Sequence, residues 1–189
     1  MLRTIRDGLL GIVLLLVLLE AVLRLLPVST ATQTGYHVDP AILGYPPGHA
    51  WRVSTGWDLR NAQRLRANNL GFAAERDFVP DPRAVALVGD SYVEASMLSA
   101  GDRPAAQLEQ ALGGARAVYA FGGPGSSLLD YVERIRFARE RTGVQDVVVL
   151  MEAGDVRQSL CGSGNVHSAC LDPKTLAPRV ERLPPPFTL

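Results

Sequence analysis

One serine stands where nucleophilic chemistry is feasible. Ser91 follows Gly89 and Asp90, directly after the apolar run AVALV at residues 84–88. A serine on a tight turn between a strand and a helix projects its hydroxyl above the sheet, where it can attack a carbonyl carbon. Gly-Asp-Ser alone is also ordinary turn chemistry. The serine therefore predicts a site only together with partners from other loops.

Two further loops offer those partners. The glycine loop GGPGSS covers residues 122–127 and contains Gly125, and the acidic loop EAGD covers residues 152–155 and contains Gly154 and Asp155. Backbone N–H groups of a glycine loop can point at a developing oxyanion without obstruction by side chains. Together the loops predict a site for acyl chemistry, if the fold brings them to one place.

The intervening sequence predicts the elements that would do so. Continuous apolar runs are typical of parallel strands covered on both faces, and three occur: AVALV (84–88), AVYAF (117–121) and VVVLM (147–151). Asp102 and Pro104 predict the start of one helix, and the capping-box pair Ser127 and Asp130 predicts another that ends at Gly143. The order β-α-β-α-β indicates a doubly wound parallel sheet, flavodoxin-like with three α/β/α layers but incomplete, whose loops meet at the carboxyl ends of the strands.

The apolar spacing of the second helix predicts which face packs on the sheet. The residues expected to face the sheet are Leu128, Val132, Ile135 and Ala138, and those expected in water are Glu133, Arg134, Arg136 and Glu140.

An apolar segment precedes all of these elements. GLLGIVLLLVLLEAVLRLL, residues 8–26, would span roughly 28 Å as a helix, close to the thickness of a bilayer core. Glu20 and Arg24 lie four residues apart and can pair on one helix face. Arg3 and Arg6 before the run predict a single pass through the inner membrane, with a cytoplasmic N-terminus and an exported remainder. The alternatives are a buried core helix and a signal peptide cleaved near Ser29 or Ala31.

Composition narrows the function classes. The chain has 19 basic and 19 acidic residues among 189, and 47% of its residues are hydrophobic. This excludes a disordered chain and disfavours a nucleic-acid partner, which would require clustered positive charge. The predicted divisions are a membrane anchor (1–26), a proline-interrupted, loop-rich linker and cover (27–83) and an α/β domain (84–189).

Both cysteines lie close together in the expected exported part. Cys161 and Cys170 in an oxidising compartment predict a disulfide that closes a short loop. Two free thiols are one alternative. A zinc site with His167 is another, although it lacks a fourth ligand at recognisable spacing. No metal or other cofactor is predicted.

Four stretches together resemble the SGNH/GDSL serine hydrolases. VALVGDSYVEA is similar to their first block, YAFGGPGSS to their second and VVVLMEAGDV to their third, while NNLGF (68–72) resembles a motif of their membrane-anchored bacterial members. The resemblance implies Ser91 as nucleophile, an oxyanion hole formed by the Ser91 and Gly125 N–H groups, and supporting roles for Gly89, Asp90, Gly154 and Asp155. It also implies cofactor-free hydrolysis or transfer of acyl groups, commonly acetyl, on carbohydrates or lipids.

The sequence departs from this family at two places. Gly154 occupies the position of an oxyanion asparagine and has no side-chain donor, a loss that typically costs about 10² to 10³ in rate. The Asp-x-x-His block that supplies the base is missing, since none of His37, His49 and His167 follows an aspartate by three residues. Three strands where the family usually has five led us to expect a truncated fragment, with a natural short pseudoenzyme as the alternative.

The expected function is therefore that of a membrane-anchored serine esterase or O-acyl transferase acting on carbohydrate or lipid esters of the envelope. The first alternative is a catalytically inactive protein of the same fold that binds glycan or lipid or supports an assembly. The second alternative is a phosphate or dinucleotide binder using GGPGSS. This second alternative is weakened because the loop lacks the lysine of a P-loop and the third glycine of a dinucleotide motif.

Overall fold

A computed structural model describes residues 2–59, 61–163 and 169–181. Its first element, α1 (Leu2–Leu25), is long and apolar enough to cross a membrane, judged by length and composition. The predicted pair within it is present, since Arg24 Nε lies 2.7 Å from Glu20 Oε1. An exposed ion pair of this kind contributes little to stability, but it neutralises both charges at the end of an apolar helix.

Two antiparallel hairpins lie in the stretch predicted to be loop-rich. The first pairs β1 (Gly35–Asp39) with β2 (Ile42–Gly44), and the second pairs β3 (Ala50–Thr55) with β4 (Asn61–Arg66). Proline cannot donate to a strand ladder, and Pro40, Pro46 and Pro47 lie in the turn between β1 and β2 and in the connection after β2. This stretch is therefore more regular than the spacing of its prolines indicated.

A three-stranded parallel sheet follows, formed by β5 (Val85–Val88), β6 (Val118–Phe121) and β7 (Asp146–Val149). The strand order is β6-β5-β7, and the carboxyl ends align because Val88 pairs with both Phe121 and Val149. The predicted strands are all present, with bounds shifted by one or two residues.

Four helices and a small hairpin accompany this sheet within the described residues. They are α2 (Ser91–Glu94), α3 (Pro104–Ala111), α4 (Leu128–Thr142) and α5 (Ala153–Gln158), with a short 3-10 helix at Ala100–Asp102 and the hairpin β8 (Ala169–Leu171) and β9 (Pro178–Val180). The predicted cap of α3 is wrong: Asp102 belongs to the 3-10 helix and accepts a hydrogen bond from the Ser99 hydroxyl, so Arg103 is the N-cap.

Apolar side chains pack on both faces of the sheet. On one face, Val88 and Phe121 meet Phe137 of α4 and the cover residues Phe72 and Phe78. On the other face a smaller cluster joins the strands to α2 and α3, and its buried members are Val85, Leu87, Val93 and Val118. The central strand β5 is buried throughout, as its uninterrupted apolar sequence predicted.

The predicted packing face of α4 is partly wrong. Val132 was expected on the sheet and is 59% exposed, whereas Arg134 was expected in water and is 1% exposed. The buried face carries Tyr131, Phe137 and Ala138 beside Arg134. The capping box at the start of the helix is confirmed, because Ser127 N–H donates to Asp130 Oδ2 at 2.7 Å.

The edge strand β7 is apolar and exposed. Val148 and Val149 retain 44% and 46% of their accessible surface, and Leu150 and Met151 after the strand are exposed to a similar degree. Within the described ranges no fourth strand pairs with this edge. The sequence of β7 predicted burial on both faces, which the described residues do not provide.

The disulfide between Cys161 and Cys170 is confirmed. It closes a loop next to the β8–β9 hairpin, and the Cys161 N–H donates to Leu171 O at 2.9 Å. Because the two sulfurs are bonded to each other, the alternatives of free thiols and of a zinc site on these cysteines are overturned.

We expect Cys161→Ser combined with Cys170→Ser to lower the free energy of unfolding by about 2 to 3 kcal/mol, since the cross-link restricts a short loop of the unfolded chain. Urea denaturation of the double variant and the native chain, both without reductant, measures this difference. The native chain in reductant serves as the control and should reproduce the loss. Equal midpoints for the native chain with and without reductant would contradict the prediction.

Candidate functional site

Ser91 lies at the carboxyl end of the central strand. It is the first residue of α2 and is exposed, while Asp90 before it is the N-cap and accepts a hydrogen bond from Tyr92 N–H at 2.8 Å. A carboxylate in this position fixes the turn by satisfying a free N–H of the first helical turn. Asp90 thus has a local structural role that holds the Ser91 backbone in place.

Two glycines allow α2 to lie against the strand ends. A Cβ on Gly89 would collide with the Val93 side chain and lie 2.7 Å from Leu150 O. A Cβ on Gly122 would lie 2.6 Å from Glu94 N. Real Cβ atoms do not approach other atoms so closely, so both positions require glycine for packing. The predicted supporting role of Gly89 is consistent with this contact.

The glycine loop is joined directly to the serine turn. Gly123 N–H donates to Asp90 O at 3.2 Å, and Ser126 Oγ donates to Gly123 O at 2.6 Å. Gly125 is exposed with φ of +67°, a left-handed conformation that glycine adopts without strain. The N–H groups of Ser91 and Gly125 donate no hydrogen bond within the part of the chain that the structure describes.

The acidic loop reaches the same end of the sheet. Leu150 N–H donates to Val88 O at 2.9 Å, which places this loop beside the serine turn. A cleft of about 180 Å³ lies between the two, and its lining residues are Asp90, Tyr92, Leu150, Met151 and Glu152. The structure therefore brings together all three loops that the sequence singled out.

Within this loop, Asp155 has an internal structural contact and Gly154 provides space. Asp155 is fully buried, and its Oδ2 accepts hydrogen bonds from Glu152 N–H at 2.8 Å and Tyr131 OH at 2.9 Å. Its Oδ1 has no partner among the described atoms. A side chain at Gly154 would begin where the Glu152 carboxylate lies. An acidic group thus occupies the place where a side-chain oxyanion donor would start.

The electrostatics of the site are negative. Burial raises the pKa of Asp90, the Tyr92 N–H opposes this shift, and the nearby charges of Asp155 and Glu152 raise the pKa further. Three carboxyl groups around one cleft disfavour an additional negative charge. Only the free N–H dipoles at Ser91 and Gly125 offset this effect for a developing oxyanion.

No histidine of the described chain forms a hydrogen bond with Ser91. His37 Nε2 lies 2.8 Å from Gln33 O, and His49 Nε2 lies 3.0 Å from Ala31 O. The third candidate, His167, lies outside the described residues. The described part of the chain therefore provides a nucleophile position and unpaired N–H groups, but no base.

A buried polar network beneath the serine turn was missed by the sequence analysis. Arg134 Nη1 donates to Gly89 O at 2.6 Å, and Tyr45 OH donates to Glu94 Oε2 at 2.6 Å. Burial raises the pKa of Glu94, while the hydrogen bond from Tyr45 and the charge of Arg134 oppose that shift. Apolar periodicity carries no signal for such groups, because it assigns charged residues to water.

Asn68 of the NNLGF stretch has a structural role. It is fully buried, and its Oδ1 accepts hydrogen bonds from Leu70 N–H and Phe72 N–H, both at 3.0 Å. This turn places the Phe72 ring 5.0 Å from the Phe121 ring, edge to face, in the core beneath the sheet end. The motif therefore couples the cover to the strand that precedes the glycine loop.

Comparison with family models, curated proteins and solved structures finds no match to this chain. The described residues also contain no cluster of three His, Cys, Asp or Glu side chains suited to a metal ion.

We expect Arg134→Met to lower the free energy of unfolding by about 3 to 5 kcal/mol, because it leaves the buried Glu94 without its nearby cation and Gly89 O without a donor. Urea denaturation measures the change. Arg139→Met, at an exposed position on the same helix, is the matched control and should change stability by less than about 0.5 kcal/mol. Similar losses in both variants would contradict the proposed role of the network.

We also expect Glu94→Gln to change how stability depends on pH. The folded-state pKa of Glu94 is raised above its ordinary value of 4.5, so the folded protein holds this proton more tightly than the unfolded chain does. The carboxyl group therefore favours folding at low pH, and this contribution is lost as pH rises from about 4.5 through the folded-state pKa.

Glutamine has no proton to lose and can still accept from the Tyr45 hydroxyl. The stability of Glu94→Gln relative to the native chain should therefore increase as pH rises through this window. Urea denaturation at closely spaced pH values between 4 and 8 measures the trend. A difference between the two proteins that is independent of pH would show that the folded-state pKa of Glu94 is not raised.

Proposed function

We propose that the chain is a membrane-anchored domain of the SGNH/GDSL serine hydrolase type, with Ser91 at the nucleophile position and acyl esters of envelope carbohydrate or lipid as its substrate class. The observation that carries this proposal is the hydrogen bond from Gly123 N–H to Asp90 O. It joins the glycine loop to the serine turn, so that the unpaired N–H groups of both segments lie at one end of the sheet.

The fold supports the proposal at a finer level than its class. The order β6-β5-β7 corresponds to the first three strands of a flavodoxin-like sheet, in which the first strand is central. Apolar clusters on both faces of β5 correspond to the layers of an α/β/α arrangement. In such sheets ligands bind at the carboxyl ends of the strands, where Ser91 lies.

The proposed reaction is acyl transfer through Ser91. Its Oγ attacks the ester carbonyl carbon, a base removes the hydroxyl proton, and the negative charge develops on the carbonyl oxygen near the N–H groups of Ser91 and Gly125. Collapse of this intermediate breaks the bond to the leaving alcohol, which takes up the proton. Water or a second alcohol then accepts the acyl group from serine.

Catalysis through this route needs a base that the described residues do not hold. A serine hydroxyl without a base is a weak nucleophile, and loss of a triad base can cost about 10⁶ in rate. The base would come from His167, from a partner or from added imidazole. The Glu152 carboxylate beside Gly154 adds a second obstacle, since it repels the developing oxyanion.

These two features favour one alternative function, a catalytically inactive domain of the same fold that binds an ester-bearing glycan or lipid in the cleft between Tyr92 and Met151. In this alternative Ser91 would contact the ligand without forming a covalent bond. The proposed orientation, with a cytoplasmic N-terminus and the α/β domain on the far side of the membrane, is common to both functions.

We expect the full chain to hydrolyse aryl acetates at a rate close to background, and to become acetylated on Ser91 when imidazole is present to act as the base. The added imidazole takes the place of the missing base, while the turn still presents the serine hydroxyl. Mass spectrometry of the peptide containing Ser91 measures the acetyl adduct with and without imidazole. Ser91→Ala should carry no adduct in this peptide.

Ser99 provides the matched control, because it is another exposed serine at a helix end on the same side of the chain sequence. Acetylation of Ser91 that exceeds that of Ser99 by at least about tenfold supports the nucleophile position. Equal labelling of the two serines, or none at either, would contradict the proposed chemistry. A hydrolysis rate well above background that His167→Ala abolishes would show that His167 is the base.

A further inference from the structure

We propose that a cationic cleft between the end of α1 and the β3–β4 hairpin binds the phosphate of an anionic phospholipid. This inference goes beyond the ester chemistry and shares with it only the membrane anchoring of α1. The cleft has a volume of about 570 Å³ and lies away from Ser91. Its polar lining consists of Glu20, Arg24, Thr30, Arg52 and Arg64, and its apolar lining includes Leu23, Leu26 and Val28.

The connection after α1 holds the hairpin next to the membrane segment. Thr30 N–H donates to Arg52 O at 3.0 Å, and Arg52 N–H donates to Thr30 Oγ1 at 2.9 Å. Nearer the helix, the Ser54 hydroxyl donates to Pro27 O. Pro27 follows directly on the apolar segment, so these bonds place β3 at the level where the helix would leave the bilayer.

The charges of the cleft are unbalanced. Arg52 and Arg64 are paired directly across the two strands, and like charges in this relation destabilise a hairpin. Among the described residues, neither side chain forms an ion pair or a hydrogen bond. Arg24 is paired with Glu20, the one acidic side chain of the lining, so the cleft keeps an excess of two positive charges.

A phosphate between Arg52 and Arg64 would relieve their repulsion. Arginine presents a planar fork of donors that matches a phosphate group, and charge-assisted bonds of this type are among the strongest in proteins. Arg66 on the same hairpin is less available, because it lies 3.6 Å from Asp77. Two free guanidinium groups side by side are thus the specific feature of this cleft.

Two further observations favour a lipid over a soluble phosphate. Leu23, Leu26 and Val28 line the cleft beside the arginines, which provides an apolar wall for acyl chains below a cationic site for the headgroup. Trp57, in the turn of the same hairpin, is 96% exposed. Tryptophan is enriched at the interface between bilayer and water, where its ring lies at the level of the headgroups.

Tryptophan fluorescence provides a direct test, because both tryptophans of the chain, Trp51 and Trp57, belong to this hairpin. Trp51 lines the cleft, so Trp57→Phe leaves a single reporter at the proposed site. The full chain in neutral detergent micelles is titrated with phosphatidylglycerol or phosphatidylcholine that carry the same brominated acyl chains. Bromine quenches indole fluorescence only at close range.

We expect phosphatidylglycerol to quench Trp51 at about thirtyfold lower concentration than phosphatidylcholine, since each arginine near an anionic headgroup adds about a factor of five. Arg52→Gln combined with Arg64→Gln should remove this preference, and the corresponding double lysine variant should retain part of it. Arg139→Gln combined with Arg157→Gln is the control for total charge, since both arginines are exposed on α4 and α5.

The outcomes separate this inference from the others. Equal quenching by the two lipids, a preference retained by the double glutamine variant, or a loss of equal size in the control variant would overturn the headgroup site. Loss of the preference on addition of inorganic phosphate, but not of chloride at equal ionic strength, would assign the cleft to a soluble anion instead. A chain that does not enter micelles would overturn the anchor as well, and none of these results bears on acetylation of Ser91.

Discussion

The turn that presents Ser91 depends on one buried cation. The Arg134 guanidinium lies under the turn and donates to Gly89 O, and burying such a charge costs several kcal/mol unless opposite charge and hydrogen bonds compensate. Glu94, one residue beyond Val93 in α2, supplies the compensating charge and is itself bonded to Tyr45 of the cover. Three separate segments are thereby fixed around the nucleophile position. Gly123 completes the arrangement, because a Cβ there would lie 2.8 Å from the Arg134 side chain.

Local signals in the sequence predicted the elements around this cation but not the cation itself. The start of α4 is determined by Ser127 and Asp130, which bond to each other across three residues, so the capping box was readable from the sequence. The burial of Arg134 depends on partners that are far away in sequence, Gly89 and Glu94. A rule that assigns charged side chains to water therefore rotated the predicted face of α4, and placed Val132 inside when it is exposed.

The strands show the same limit. An apolar run predicts a strand because β-branched side chains suit a pleated surface, and β5, β6 and β7 are all present. Whether a strand is central or at an edge depends on its neighbours, which a single run does not encode. VALV and DVVV have similar apolar content, yet the first is buried throughout and the second is largely exposed. The pairing of the cover into hairpins is likewise set by contacts beyond the spacing of its prolines.

The candidate site combines a feature that hinders its chemistry with one that would assist a base. Asp90, Glu152 and Asp155 make the strand ends negative, which opposes the charge that develops on a carbonyl oxygen. The same carboxylates favour a positive charge nearby, and a histidine that removes the Ser91 proton becomes positively charged. A histidine brought to this edge would therefore have a raised pKa and a stabilised imidazolium form. The acidic surroundings thus suit a catalytic partnership in which the N–H dipoles stabilise the oxyanion and the carboxylates stabilise the protonated base.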